Sequence, residues 1–291
     1  MKILFLAYTK DFGLGHYYRT LALAQEASAR GHFTVFLSDR PAMVPGVYTK
    51  KVKTWNDYDF MATLIIVQPD WVVADLPNPE PPGWLWTNYP VYKLCLIDGN
   101  PKFCNLAIGQ GLGGLDYEAP EYIIIPPELK VIRRVVHPNK CWFVWGGTGD
   151  VQKMLPAFSR SVDETAVLVG VQGLTPPPTF LRSVVHMYKQ ANDRQEFFKI
   201  AADCNKAAVQ MGQTIWELLY LGIPCWVFSH SERNLATALE LDRRGWVKAF
   251  RKVGLPGKTG MKRFLASDFE LKDRPVDGNG ASRIIELLEQ R

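Results

Sequence analysis

Apolar and polar positions divide the chain into short apolar runs that alternate with stretches of helical periodicity. Ile3 to Ala7 is a continuous apolar run, the pattern of a parallel strand covered on both faces. Gly13-Leu14-Gly15-His16 interrupts it. From Tyr17 to Ala29 the residues Tyr18, Leu21, Ala22, Ala24 and Ala27 recur at helical spacing. Gly31 stops that helix, and Phe33-Thr34-Val35-Phe36-Leu37 is the next strand. Further strands are predicted at 71–74, 92–97 and 122–125. Two of them end in an acid, Asp75 and Asp98, where an α/β sheet presents its ligand-facing edge.

The same grammar starts again near residue 139. Strands are predicted at 141–145, 165–169, 183–187, 207–209 and 225–228, with helices from Val151, around 195–204 and from 213 through 221. The amphipathic Ile284-Ile285-Glu286-Leu287-Leu288 predicts a terminal helix. Strands alternating with helices in both halves predict an α/β chain of two doubly wound, Rossmann-like domains. The expected boundaries are 1–138, 139–275 and a terminal segment 276–291, the first break falling in His137-Pro138-Asn139.

Composition agrees with this and narrows it little. The 291 residues are 47% hydrophobic and 22% charged, which excludes disorder, collagen and coiled coil. No apolar run reaches the ~18 residues of a membrane span. Met1 to Tyr8 resembles the start of a signal peptide, but Thr9-Lys10-Asp11 ends the run with no small-residue cleavage site, so a buried strand is the better reading. Cys95, Cys104, Cys141, Cys204 and Cys225 form no CxxC or Cys/His cluster, and a cytoplasmic protein with reduced, buried thiols is expected.

Two turns carry candidate chemistry. Gly13-Leu14-Gly15-His16 lets backbone approach a ligand at a helix N-terminus. It is not the full GxGxxG, since Arg19 follows where a glycine is needed, which counts against a nicotinamide or flavin. His16 at its mouth is placed to accept a proton near neutral pH, with a helix-capping histidine as the plainer alternative. The second turn is Met211-Gly212-Gln213-Thr214, passing from strand to helix in a geometry that suits a diphosphate. Glu217 lies one turn inside, a ribose ligand or an ordinary helix glutamate. Asp57-Tyr58-Asp59 reads as a solvated turn rather than a metal-binding DxD. Ser229-His230-Ser231-Glu232 holds triad residue types too close in sequence to build a triad. His32, His137 and His186 lack ligand spacing, so no metal is predicted.

Taken together the motifs resemble the GT-B glycosyltransferase-like superfamily. The nearest likeness is to the peptidoglycan N-acetylglucosaminyltransferases and the UDP-sugar hydrolases of pseudaminic acid synthesis. The resemblance rests on Gly13 to Arg19 with Leu21 to Ala24; Trp145-Gly146-Gly147-Thr148-Gly149-Asp150; Met211 to Glu217 with Leu221-Gly222-Ile223-Pro224; Arg233-Asn234; and Asp277 to Ala281. It implies two domains facing a cleft, with the C-terminal one binding a UDP-sugar and the N-terminal one carrying most acceptor contacts. Gly15, Gly146, Gly147, Thr148, Met211, Gly212, Gln213 and Thr214 would line the donor site. Glu217 would hold the ribose, and Arg233 and Asn234 would lie near the donor sugar or phosphate. His16 would be the base, with Asp11, Asp75 or Asp98 orienting the attacking oxygen or serving instead. No cofactor or metal is implied. The proline-rich 75–82 loop and the absence of a Gln beside Asn234 depart from both branches.

Charge adds one local feature. Residues 243–263 hold eight Lys/Arg and no acid, leaving 26 basic and 29 acidic residues elsewhere. Arg243, Arg244, Lys248, Arg251 and Lys252, with Arg133 and Arg134, predict a polyanion surface. Hydroxymethylated pyrimidine in DNA is then a possible acceptor and peripheral contact with an anionic membrane an alternative. A solvated basic face is the plain reading.

Overall fold

The computed structural model describes residues 1–8, 15–40, 44–52, 58–76, 92–112, 114–135, 141–144, 166–170, 186–189 and 194–291. The chain divides into two units, Met1–Pro127 with Asp277–Arg291, and Glu128–Val276. Each holds a six-stranded parallel sheet.

In the first unit the strands are β1 (Lys2–Ala7), β2 (Phe33–Ser38), β3 (Tyr48–Lys51), β4 (Trp71–Asp75), β5 (Lys93–Ile97) and β6 (Leu106–Ile108), in the order 3-2-1-4-5-6. Alternate residues serve opposite faces. Ile3, Phe5, Phe36, Trp71 and Val73 pack with helix α1 (Gly15–Ala29) and the chain's last helix (Gly280–Gln290). Leu4, Leu6, Val35, Val72 and Leu94 pack with Phe60 and Leu64 of helix α2 (Tyr58–Val67). Both faces are covered, which is why β1 reads as an unbroken apolar run.

In the second unit β7 (Cys141–Val144), β8 (Ala166–Gly170), β9 (His186–Lys189), β10 (Lys206–Gln210), β11 (Cys225–Ser229) and β12 (Lys248–Val253) lie in the order 12-11-10-7-8-9. Counted from its own first strand, this is the arrangement of the first unit again. A short helix α3 (Pro127–Lys130) precedes it, followed by α4 (Arg194–Ala202), α5 (Gln213–Tyr220), α6 (Glu232–Arg243) and α7 (Lys258–Leu265); α8 is the last helix. The helix predicted from Val151 lies outside the described residues.

Two expectations are corrected. Residues 122–125 are not a strand, although Ile123, Ile124 and Ile125 are buried. The Gln110 side chain takes the place of a neighbouring strand there, donating to the Tyr122 carbonyl (2.8 Å) and accepting the Ile124 N–H (2.9 Å). The sixth strand is instead 106–108. The break between units falls at Pro127/Glu128 rather than near 138, because Arg134 donates to the carbonyls of Gly222 and Asn205 and the Val135 N–H to that of Ala202. The residues 137–139 themselves lie outside the described residues.

The terminal helix is built into the first unit. Ala281, Ile284, Ile285 and Leu288 are buried, each of the three larger side chains contributing roughly 1.5–3 kcal/mol when fully covered. The Trp71 indole donates to the Leu288 carbonyl (3.1 Å), and Arg30, just past α1, pairs with Glu286 (2.8 Å) and Glu289 (3.2 Å). A Cβ at Gly280 would collide with the Ile123 carbonyl. Gly280→Ala is therefore expected to lower stability by about 1–3 kcal/mol, read as a fall in the urea midpoint. An unchanged midpoint would show that the helix start shifts freely.

Candidate functional site

Strand order 3-2-1-4-5-6 reverses direction between β1 and β4, and such a switch point opens a crevice at the carboxyl ends of the strands. In the first unit that edge is where β1 passes to α1 and where β4 ends in Asp75. The repeated order gives the second unit its own switch point, between β7 and β10. The two sequence turns singled out above follow β1 and β10.

In the first unit the edge holds a cluster of charged side chains. The His16 Nδ1 lies 2.7 Å from Asp75 Oδ1. Arg19, one helical turn on, grips Asp75 Oδ2 through Nε (2.5 Å) and Oδ1 through Nη2 (2.7 Å), and the same Nη2 reaches Asp98 Oδ2 at 2.8 Å. The Thr20 hydroxyl lies between the His16 carbonyl (2.8 Å) and Asp75 (3.2 Å). Asp98 sits just past β5 at φ +57°, a left-handed conformation that Asp tolerates, and accepts the Gln110 N–H at 2.6 Å. Helical spacing sets His16, Arg19 and Thr20 on one face of α1.

Burial separates the roles. The Asp75 side chain is 0% exposed, Arg19 7%, His16 22% and Asp98 38%. Burial alone would raise the Asp75 pKa, but the Arg19 charge and hydrogen bonds, aided by those of His16, outweigh it and hold the carboxyl below its ordinary value. Burial likewise opposes the Arg19 charge, and Asp75 and Asp98 more than restore it. An ionised carboxylate only accepts, so the Asp75 contact calls for a proton on His16 Nδ1 and leaves Nε2 as the nitrogen turned away from the acid. Asp75 has no surface with which to meet a substrate oxygen, so the reading of it as a replacement base is corrected: its geometry orients His16. Asp98 remains accessible. Asp11 lies outside the described residues. Sequence reasoning gave Arg19 no role in the site, reading it as a departure from a glycine pattern and as the end of the resembling motif. A basic residue three positions after His16, facing two strand-end acids, was the available signal.

At the second unit's edge Gly212 is exposed and begins α5 without a side-chain cap. The Met211 N–H donates to the Phe228 carbonyl (2.8 Å), tying this turn to the end of β11. Gln213 and Thr214 are half-buried, and Glu217 is buried at 2% exposure. Ser231 caps α6 by accepting the Asn234 N–H (3.2 Å), which places Arg233, exposed, and Asn234, half-buried, in that helix's first turn. Among the described residues Gln210 Oε1, Ser229 Oγ and His230 Nε2 are buried at the same edge without hydrogen-bond partners. Two helix N-termini beside orphaned polar atoms form a setting for an anionic, hydroxylated ligand. Sequence reasoning set Ser229 and His230 aside as a false triad. Gly146, Gly147 and Thr148 lie outside the described residues, and Gly15 opens α1 in the first unit.

The expected polyanion surface is partly engaged within the second unit. Arg243 and Arg244 both pair with Glu240 (2.7 and 2.8 Å), and Lys248 reaches Asp242 (3.4 Å). The acid-free run 243–263 begins just past the two carboxylates that fold back on it. Arg134 is spent on backbone carbonyls within the second unit, whereas Arg133, Arg251 and Lys252 are exposed. Among the described residues no His/Cys/Asp/Glu group could hold a metal, no helix is long and apolar enough to cross a membrane, and Cys95, Cys104, Cys204 and Cys225 form no disulfide.

No family model matches the chain, and no curated protein matches it by sequence. Solved structures do. A Listeria monocytogenes protein described as a candidate UDP-N-acetylglucosamine 2-epimerase is 13% identical at a TM-score of 0.66, over 99% of this chain and 96% of that one. The spinosyn forosaminyltransferase SpnP is 13% identical at 0.61, over 99% of each chain. The spinosyn rhamnosyltransferase SpnG, solved with thymidine diphosphate, is 11% identical at 0.56, over 100% and 92%. At such identities the likeness is one of fold. The chain is an α/β protein with the GT-B fold shared by these glycosyltransferases and epimerases.

Proposed function

We propose that the chain transfers a sugar from a UDP-sugar to an acceptor hydroxyl without a metal ion. The observation that carries this reading is the buried Asp75, 2.7 Å from His16 Nδ1, which orients the imidazole with Nε2 turned away from the acid. His16 takes the proton of the attacking oxygen. That oxygen bonds the anomeric carbon as the bond to UDP breaks, and UDP leaves with the electron pair. Asp98 positions the acceptor. In the second unit the turn at 211–214 and the starts of α5 and α6 meet the diphosphate with N–H groups, fixed dipoles that favour the departing anion. Glu217 binds the ribose, and Arg233 and Asn234 contact the donor sugar or its phosphate. Similar folds in the SpnP and SpnG glycosyltransferases support a transferase.

The acceptor offers a hydroxyl group. Of the seven cations expected to meet a polyanion, Arg134, Arg243, Arg244 and Lys248 are already engaged, which weighs against a nucleic-acid track there. Incubation with mixed UDP-sugars and candidate acceptors, followed by mass spectrometry, tests the proposal. UDP and a glycosylated product that appear only with acceptor are expected. UDP and free sugar without acceptor would identify a hydrolase instead, the reaction implied by the likeness of the His16 turn to that branch. A rearranged UDP-sugar with no UDP released would identify an epimerase.

A further inference from the structure

Away from both strand-end crevices, the second unit has a cavity of about 680 Å³ between β12 and α7, within the size range of small-molecule sites. Its walls are mostly apolar. Trp226 and Phe250 lie with ring centroids 5.1 Å apart, and Leu255 and Pro256 complete the surface. Strand β12 is the outermost of its sheet, two strands from β10, so this cavity is separate from the turn at Gly212.

The polar groups are one-sided. Lys248, Arg251, Lys252 and Arg263 line the cavity with a single carboxylate, Asp242, which is itself held by Lys248 and the Ala249 N–H (3.3 Å). Among the described residues Arg251, Lys252 and Arg263 have no ion-pair or hydrogen-bond partner. The Trp226 indole N–H, also in the lining, is buried without a partner, and a buried donor left unmade costs about 1–3 kcal/mol. Aromatic walls, an unspent buried donor and three unspent cations converge on one space.

We propose that this cavity binds a small amphiphilic anion. Its apolar body lies against Trp226, Phe250, Leu255 and Pro256, and its acidic head meets Arg251, Lys252 and Arg263. An apolar ligand without charge would leave the cations unused, and an inorganic anion would leave the ring wall wet. Both halves of the ligand are therefore required. The proposal does not rest on nucleotide-sugar chemistry elsewhere in the chain.

Calorimetric titration of the 291-residue chain with octyl phosphate tests it, with inorganic phosphate and octyltrimethylammonium as the head-only and charge-reversed probes. One saturable site in the sub-millimolar range is expected for octyl phosphate, with both comparison probes at least roughly tenfold weaker. Lys252→Glu with Arg263→Glu, both exposed and unpaired, should weaken octyl phosphate by about tenfold or more while the thermal midpoint stays unchanged. Trp226→Phe, which keeps a ring and removes the donor, should weaken it less. Equal binding of all three probes would overturn the proposal, as would octyl phosphate affinity indifferent to the double charge reversal. Sedimentation with phosphatidylglycerol vesicles in the absence of octyl phosphate binding would overturn it too, by assigning the cations to a membrane surface.

Discussion

His16→Ala is expected to reduce turnover of a UDP-sugar by about 10²–10⁴-fold, the usual worth of a positioned general base. The donor KM should change little, since the groups proposed to hold the diphosphate belong to the other sheet. The geometry makes the expectation specific. With Asp75 as an acceptor 2.7 Å from Nδ1, the contact calls for a proton there and turns Nε2 away from the acid. Asp75→Asn should therefore be nearly as damaging, because an amide can donate to Nδ1 and place the proton on the wrong nitrogen. Steady-state rates with acceptor present decide the matter. Turnover by His16→Ala within threefold of the native rate would remove His16 from the chemistry.

Arg19→Met should destabilise the first unit by about 3–5 kcal/mol, the cost of leaving one member of a buried ion pair alone. The sign of its pH dependence is a sharper readout. In the native protein the Asp75 pKa is held below its ordinary value. Its stabilising contribution is then complete above the unfolded carboxylate value near pH 4 and is lost as pH falls through the lower, folded value. Without Arg19, burial is left as the main influence, and it raises the Asp75 pKa. The folded protein then keeps a proton that the unfolded chain releases, so stability declines as pH rises through the acidic range. Urea midpoints should rise with pH below about pH 4 and then level off for the native protein, and should fall between about pH 4 and pH 6 for Arg19→Met. Parallel slopes would show that Arg19 does not govern Asp75.

Much of this arrangement was legible from residue order. The unbroken apolar runs at 3–7 and 71–74 pointed to strands covered on both sides, and they are β1 and β4. The turns at His16 and Gly212 follow strands next to the two switch points. What the chain concealed were features made by residues distant in sequence. Arg19 acquires its meaning only when β4 and β5 bring Asp75 and Asp98 beside it. The Ile123-Ile124-Ile125 run has strand composition, but its Ile124 N–H goes to the amide of Gln110 and its Ile123 N–H to the Pro120 carbonyl. Conversely, β12 was hidden by its own lysines and arginine, because an edge strand need not alternate cleanly. Its charges suggested a surface before they suggested a ladder, and the balancing carboxylates lay just upstream of the basic run.

The return of residues 277–291 to the first unit has a consequence for synthesis. A growing chain makes β1 through β6 early, yet the surface beside Trp71 and α1 stays uncovered until α8 leaves the ribosome. The second unit is threaded into the first as an insertion and has all its own strands before that moment. Order of translation and order of completion are thus inverted: the later-made unit can close first, and the earlier one waits for the last helix.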